Sequence, residues 1–283
     1  MNTNRELPEK NIFKAYDIRG VVGKTLNDNS VIQIGKSIGS EALLQNQKEI
    51  YVGYDGRLSS PKMYKLLSKG LLSTGINVIA IGLVTTPMLY FCTHQYNTQS
   101  GIMITGSHNP PEYNGFKIVI NDKALSNDDI QTLYQRIINE EYLVGDGKIS
   151  NLNIKPSYLE KIYNDIKLAR PIRIAVDCGN GAASVCAEEL YKGIGAIVEP
   201  LFCNIDGNFP NHHPDPSNLN NLISLQEALA NGNSEIGLAF DGDGDRLGVV
   251  SKKGEVIYPD RQLLLFAEDV LKNNPNASII FDV

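Results

Sequence analysis

Short apolar runs alternate along this chain with longer amphipathic stretches. Glu49–Tyr54 (EIYVGY) has strand length, and so does Ile76–Ile81. Between them Pro61–Thr74 (PKMYKLLSKGLLST) reads as a helix: Ser59 or Ser60 can cap it, Pro61 suits its first turn and Gly75 can end it. Strand, helix, strand is the mark of an α/β layer. Two further strands, Gly101–Ile104 and Phe116–Ile120, enclose a polar loop, and Ile130–Glu141 reads as a helix.

The pattern restarts after a stretch between about Ile149 and Arg173, where Lys155-Pro156 and Arg170-Pro171 flank a helical segment over Tyr158–Ala169. RIAVD, a glycine-rich turn, a helix, Gly195 and a strand then form one βαβ unit. Glu235–Phe240 and Leu247–Val250 are strands, Pro259–Lys272 a helix and Ala277–Val283 a closing strand. The expected organisation is α/β in three pieces: domain I over 1–152, domain II over 153–253 and the start of domain III over 254–283.

Composition narrows the classes. With 283 residues, 42% of them hydrophobic, the chain can bury a substantial core and form two domains and part of a third. A net charge of -6 argues against general nucleic-acid binding but leaves a small anionic ligand open, because the local field decides there. The four cysteines form no CxxC pair and suggest no disulfide framework. The N-terminal MNTNRELPEKNIF lacks the apolar centre of a signal peptide, and no apolar stretch is long enough to span a bilayer. These features predict a cytoplasmic protein with no membrane or nucleic-acid partner.

Chemistry concentrates in two loops. In DGDGDR, Asp241, Asp243 and Asp245 alternate with glycines, so three carboxylates can converge if a cation offsets their repulsion. All-oxygen ligands favour a hard ion, Mg2+ first and Ca2+ or Mn2+ behind it. An EF-hand is excluded, because Arg246 stands where glycine is needed and Lys252 where a bidentate glutamate is needed. Mg2+ commonly keeps room for a phosphate oxygen, and Arg246 adds a donor fork suited to phosphate. The second loop, TGSHNP, puts Ser107 at the end of a strand, where α/β proteins place ligand sites. Its hydroxyl can attack phosphorus if a base or metal assists. His108 and Asn109 can orient it, and Lys117 can act as a general base or a charge clamp. No Gly-x-Ser-x-Gly elbow surrounds it. Two other clusters stay open: Asp177–Gly181 is either a tight βα turn or an anion site, and His212-His213 near Asp215 is a rigid turn or a weak metal site.

Several stretches together carry a resemblance: KAYDIRG at 14–20, TGSHNP at 105–110, NGFK at 114–117, DGDGDR at 241–246 and GNFPNHHPDP at 207–216. The chain resembles the α-D-phosphohexomutase family, in its phosphomannomutase/phosphoglucomutase branch. The resemblance implies consecutive mixed-sheet α/β domains of the phosphohexomutase type, truncated before the fourth domain. It implies a reversible shift of phosphate between the 1 and 6 positions of mannose or glucose. Ser107 would be carried as phosphoserine, with a hexose 1,6-bisphosphate, such as glucose 1,6-bisphosphate, as intermediate and activator. Mg2+ would be held by that serine with Asp241, Asp243 and Asp245. Arg19, Lys117 and His108 would assist proton transfer and charge placement, and Arg246 would steady phosphate or the metal loop. Sugar phosphates would be the small-molecule partners.

The family's loops for the sugar hydroxyls and the distal phosphate lie in its third and fourth domains, beyond these residues. The expectation is weak or absent mutase activity, with self-association through an incomplete third domain. Two rivals remain. One is a phosphatase or phosphotransferase with an aspartyl nucleophile, and the other a non-catalytic fragment that binds sugar phosphates.

Overall fold

The computed structural model describes residues 6–281. It builds two mixed sheets in succession. The first has seven strands: β1 (Ile18–Val21), β2 (Glu49–Tyr54), β3 (Asn77–Leu83), β4 (Gly101–Ile104), β5 (Tyr113–Ile120), β6 (Lys123–Ala124) and β7 (Ile149–Asn151). Their order is β1-β5-β4-β2-β3-β7, with β6 beside β5. β4, β2, β3 and β7 run parallel, while β5 is antiparallel to both β4 and β1. The second sheet has five strands: β8 (Arg173–Asp177), β9 (Ile197–Leu201), β10 (Ile236–Phe240), β11 (Leu247–Ser251) and β12 (Val256–Ile257), in the order β12-β11-β10-β8-β9.

Helices cover both faces of the first sheet, which is why its strands read as continuous apolar runs. Ile50, Val52, Ile102 and Ile104 pack with residues of α1 (Asp28–Leu44), α2 (Ser60–Leu72) and α4 (Asp128–Asn139). Tyr51 and Met103, one position out of step, pack instead with α3 (Thr86–Gln95) and α5 (Lys155–Asp165). Lys117 stands opposite Met103 in the β4–β5 ladder, so it leaves the sheet on the α3 side. The second sheet is flanked by the short α6 (Ala187–Gly193) and by α7 (Ile223–Asn231) on opposite faces.

Some element ends differ from the sequence reading. α4 begins two residues before Ile130, and Glu140 in a left-handed conformation closes it. The helix expected over 158–169 lies at Lys155–Asp165, with proline in its first turn. α8 (Pro259–Asn273) matches its expected place and leaves Leu264, Leu265 and Phe266 exposed. The closing strand does not form over 277–281, and Asp282 and Val283 lie outside the described residues. A strand needs a partner backbone for its N–H and C=O groups; here Ile279 and Phe281 line a pocket against α8 instead. No described helix is long and apolar enough to cross a membrane.

α1 had no counterpart in the sequence reading, because two glycines and three serines in seventeen residues dilute its helix propensity. Those small residues serve packing. A Cβ on Gly35 would sit 2.4 Å from the Leu67 carbonyl oxygen, and one on Gly70 would sit 2.2 Å from that of Ile32. The two helices therefore cross backbone against backbone. Gly70→Ala is expected to destabilise the protein by about 1–3 kcal/mol, although alanine is the better helix former. Urea unfolding measures it, and a gain in stability would show that the crossing relaxes.

Candidate active site

Ser107 sits just beyond β4, buried, at φ 50°. A left-handed conformation costs a non-glycine residue energy, so the surroundings must hold it there. They do so through Asp55 and Arg57, at the end of the neighbouring strand β2. Thr105 Oγ1 accepts from the Ser107 amide at 2.7 Å and donates to Asp55 Oδ2 at 2.8 Å. Arg57 is fully buried and uses all five of its guanidinium N–H groups. Nε pairs with Asp55 Oδ2 at 3.1 Å, Nη1 donates to the carbonyls of Pro110 and Tyr113, and Nη2 to those of Ser107 and Asn109. Gly106 lies so close that a Cβ there would stand 2.4 Å from Arg57 Cζ.

The carboxylate loop between β10 and β11 meets this serine. Ser107 Oγ donates to Asp241 Oδ2 at 2.8 Å. Asp241 Oδ1 accepts from the amides of Asp245 and Arg246 at 2.9 and 3.0 Å. Burial, reinforced by the charge of Asp243, pushes the Asp241 carboxyl up to about 7. Burial also opposes ionisation of Asp243, but the Lys117 ammonium outweighs it and holds that group below the usual carboxylate range. Lys117 Nζ lies 2.8 Å from Asp243 Oδ2 and 2.7 Å from Asp245 Oδ2. Against the effect of burial, these two carboxylates keep Lys117 above its ordinary value. In this arrangement its ammonium is paired with both carboxylates.

Among the described residues, no three His, Cys, Asp or Glu side chains are already gathered around a cation position. Lys117 stands between two of the expected ligands and supplies the positive charge itself. The residues still fit a hard divalent ion. Asp243 Oδ1 is buried with no donor at all, and the neighbouring groups, Asp241, Asp245 and the Ser107 hydroxyl, offer oxygen only.

His108 Nδ1 lies 3.4 Å from Ser107 Oγ, and burial, with the nearby Arg246 charge, lowers its pKa. Arg246 joins the cluster through its amide, while its side chain is exposed. Arg19 stands apart and pairs with Asp17. It lies opposite Gly115 in the β1–β5 ladder, two residues from Lys117, and so shares the face of the sheet from which Lys117 emerges. Its buried Nε has no partner, and it lines an open cleft of about 600 Å3 with Lys14, Tyr16 and Asn109.

The two open clusters also find their places. His212 Nε2 bonds Asp177 Oδ2 at 2.9 Å, and the His213 ring donates to the His108 carbonyl, so the pair ties its turn to the serine loop. The glycine-rich turn after β8 supports the carboxylate loop, with the Ala182 amide donating to the Gly242 carbonyl at 2.9 Å. Sequence reasoning missed Asp55, Arg57 and Thr86. The first two follow β2 at a strand end, the same position that singled out Ser107. Thr86 lies in Val84-Thr85-Thr86-Pro87, a helix-start signal.

Lysine cannot reproduce the guanidinium fork. Arg57→Lys is expected to cost about 3 kcal/mol or more, because buried carbonyls lose their donors. Thermal and urea unfolding check this, and a loss under 1 kcal/mol would mean that the loop holds itself.

Residues 10–143 match the family description "Phosphoglucomutase/phosphomannomutase, alpha/beta/alpha domain I", and residues 156–254 match the corresponding domain II. A phosphoglucomutase of Neisseria gonorrhoeae is 52% identical over 276 residues, 97% of this chain and 60% of the relative. A phosphomannomutase/phosphoglucomutase of Pseudomonas aeruginosa is 50% identical over 96% of this chain and 59% of its own length. The crystal structure of a phosphoglucomutase/phosphomannomutase family protein from Burkholderia thailandensis superposes with a TM-score of 0.93 at 47% identity, covering 96% of this chain and 61% of that one. The chain thus spans about three fifths of the relatives it matches. With both domain descriptions matched in order, the chain belongs to the phosphoglucomutase/phosphomannomutase family.

Proposed function

We propose that this chain carries the phosphoryl-transfer centre of a cytoplasmic phosphohexomutase that interconverts hexose 1-phosphate and hexose 6-phosphate, of mannose, glucose or both. One observation carries the reading: the hydroxyl of Ser107 is held against a buried carboxylate, Asp241, that is 134 residues away in the chain. A turn serine needs no such partner, whereas a serine that gains and loses a phosphoryl group does.

In this reading Ser107 Oγ bears the phosphoryl group in the resting protein. The free hydroxyl of the sugar attacks phosphorus, the bond from phosphorus to Oγ breaks, and a hexose 1,6-bisphosphate forms. The attacking sugar hydroxyl gives up one proton and Oγ takes up one as it leaves, which restores the serine hydroxyl that donates to Asp241 Oδ2. Return of the other phosphoryl group to Oγ completes the shift. Asp241, Asp243, Asp245 and the serine oxygen would hold Mg2+, which when bound offsets negative charge at the transferring group. Lys117 and Arg19, on one face of the sheet, would balance charge on the substrate side, with His108 and Arg246 at the rim. The resemblance assigns the loops for sugar and distal phosphate to later domains, so turnover by residues 1–283 alone would be slow.

An aspartyl nucleophile is less well supported. Both oxygens of Asp241 are already engaged, and Asp243 is tied to Lys117 and Thr86. Exposure to a hexose 1,6-bisphosphate should add one phosphoryl group, about 80 Da by intact mass, to the native chain and none to Ser107→Ala. Capture that survives in Ser107→Ala would transfer the role to an aspartate.

The raised Asp241 pKa sets a pH dependence. The folded, cation-free chain holds this proton more tightly than the unfolded chain. This group therefore costs stability as pH rises from the ordinary carboxylate range to about 7. A divalent ion must displace the proton, so its affinity falls as pH drops below that point. Mg2+ is expected to raise the melting temperature more at pH 8 than at pH 6, with the difference lost in Asp241→Asn. Equal shifts at both pH values would contradict the assignment.

A further inference from the structure

α3 begins where the two sheets meet, and its first residue reaches across. The Thr86 amide donates to the Asp243 carbonyl at 2.9 Å, and Thr86 Oγ1 donates to Asp243 Oδ2 at 2.7 Å. Both residues are completely buried. Oδ2 therefore takes two donors, the Thr86 hydroxyl and the Lys117 ammonium, while Oδ1 of the same carboxylate takes none. A carboxylate oxygen has two lone-pair positions. Those of Oδ2 are filled and those of Oδ1 are open.

The two donors differ in permanence. Lys117 bridges Asp243 and Asp245, the same groups a divalent ion would draw on, and like charges in that space repel. The threonine hydroxyl is neutral and is anchored on the first turn of a helix whose cap is Thr85. When the lysine gives way, Thr86 is the donor that still fixes the plane of the carboxylate. We propose that Thr86 is a positioning residue for the cation: a hydroxyl from the first sheet's unit that orients Asp243 of the second so that Oδ1 is presented as a ligand. The inference rests on the reading that the carboxylate loop holds a divalent ion.

The test uses the full 283-residue chain, with Mn2+ binding followed by loss of the free ion's EPR signal and Mg2+ as competitor. Removing a hydrogen bond that orients a metal ligand typically weakens affinity by about 10- to 100-fold. Thr86→Val is expected to weaken Mn2+ binding about 10-fold, and Thr86→Ser, which keeps the hydroxyl, to restore binding to within about twofold of the native chain. Thr86→Ala serves the same comparison if the valine variant does not fold. Melting in EDTA is measured in parallel: a lower melting temperature with unchanged Mn2+ affinity would make Thr86 a structural tie only and overturn the proposal. Loss in the serine variant equal to that in valine would also overturn it, since the hydroxyl would then be irrelevant. Absence of saturable Mn2+ binding in the native chain would instead overturn the cation reading itself, and this inference with it.

Discussion

A single buried guanidinium governs the geometry of this protein's candidate site. The loop after β4 bonds some of its own carbonyls, Gly106 from the Asn109 amide and Pro110 from that of Tyr113, and carbonyls out of water need donors. Arg57 supplies them to Ser107, Asn109, Pro110 and Tyr113 at once, while Asp55 keeps the cation neutralised. The cost of burying that charge is met only because every N–H finds an oxygen. The arrangement also explains the glycine before Ser107: any side chain there would strike the guanidinium. The Phe209 ring lies 5.4 Å from Arg57 and comes from the loop between β9 and α7, so the same residue takes part in docking the second unit.

Around this fixed serine the electrostatics are left adjustable. Asp241 is tuned toward neutrality by burial, whereas Asp243 stays ionised through Lys117. Two adjacent carboxyls with separated proton affinities can accommodate either a lysine or a metal ion without leaving a bare charge inside the protein. Lys117 is well placed for such an exchange, since it reaches the loop from a strand of the other sheet and pairs with an exposed carboxylate as well as a buried one.

Much of this was legible in the chain itself. The strands on either side of TGSHNP and DGDGDR carry their own periodicity, and the two loops place recognisable chemistry at strand ends. The α/β layering and mixed sheets follow from the order of those elements and from the family resemblance. What escaped was written in contacts rather than in patterns. α1 is a helix because Gly35 and Gly70 allow a close crossing, which local propensity argues against. Asp55 and Arg57 look like an ordinary surface pair until the fold places four carbonyls around them. Thr86 reads as a helix start, and only the second sheet shows what its hydroxyl faces. The expected last strand failed for the opposite reason: its composition was suitable, but residues 277–281 pair with no described strand, and Ile279 and Phe281 lie against α8.

The hydrogen bond between Ser107 and Asp241 has a consequence for how the chain comes into being. Arg57 and the loop it organises are synthesised close together and can close as soon as the first sheet forms. Asp241 is added 134 residues after Ser107. At a translation rate of about 5–20 residues per second, the interval is on the order of ten seconds. Until then the serine loop has no Asp241 carboxylate to bond. The hydrogen bond that joins the two loops is thus the last part of the candidate site that can form as the chain is synthesised.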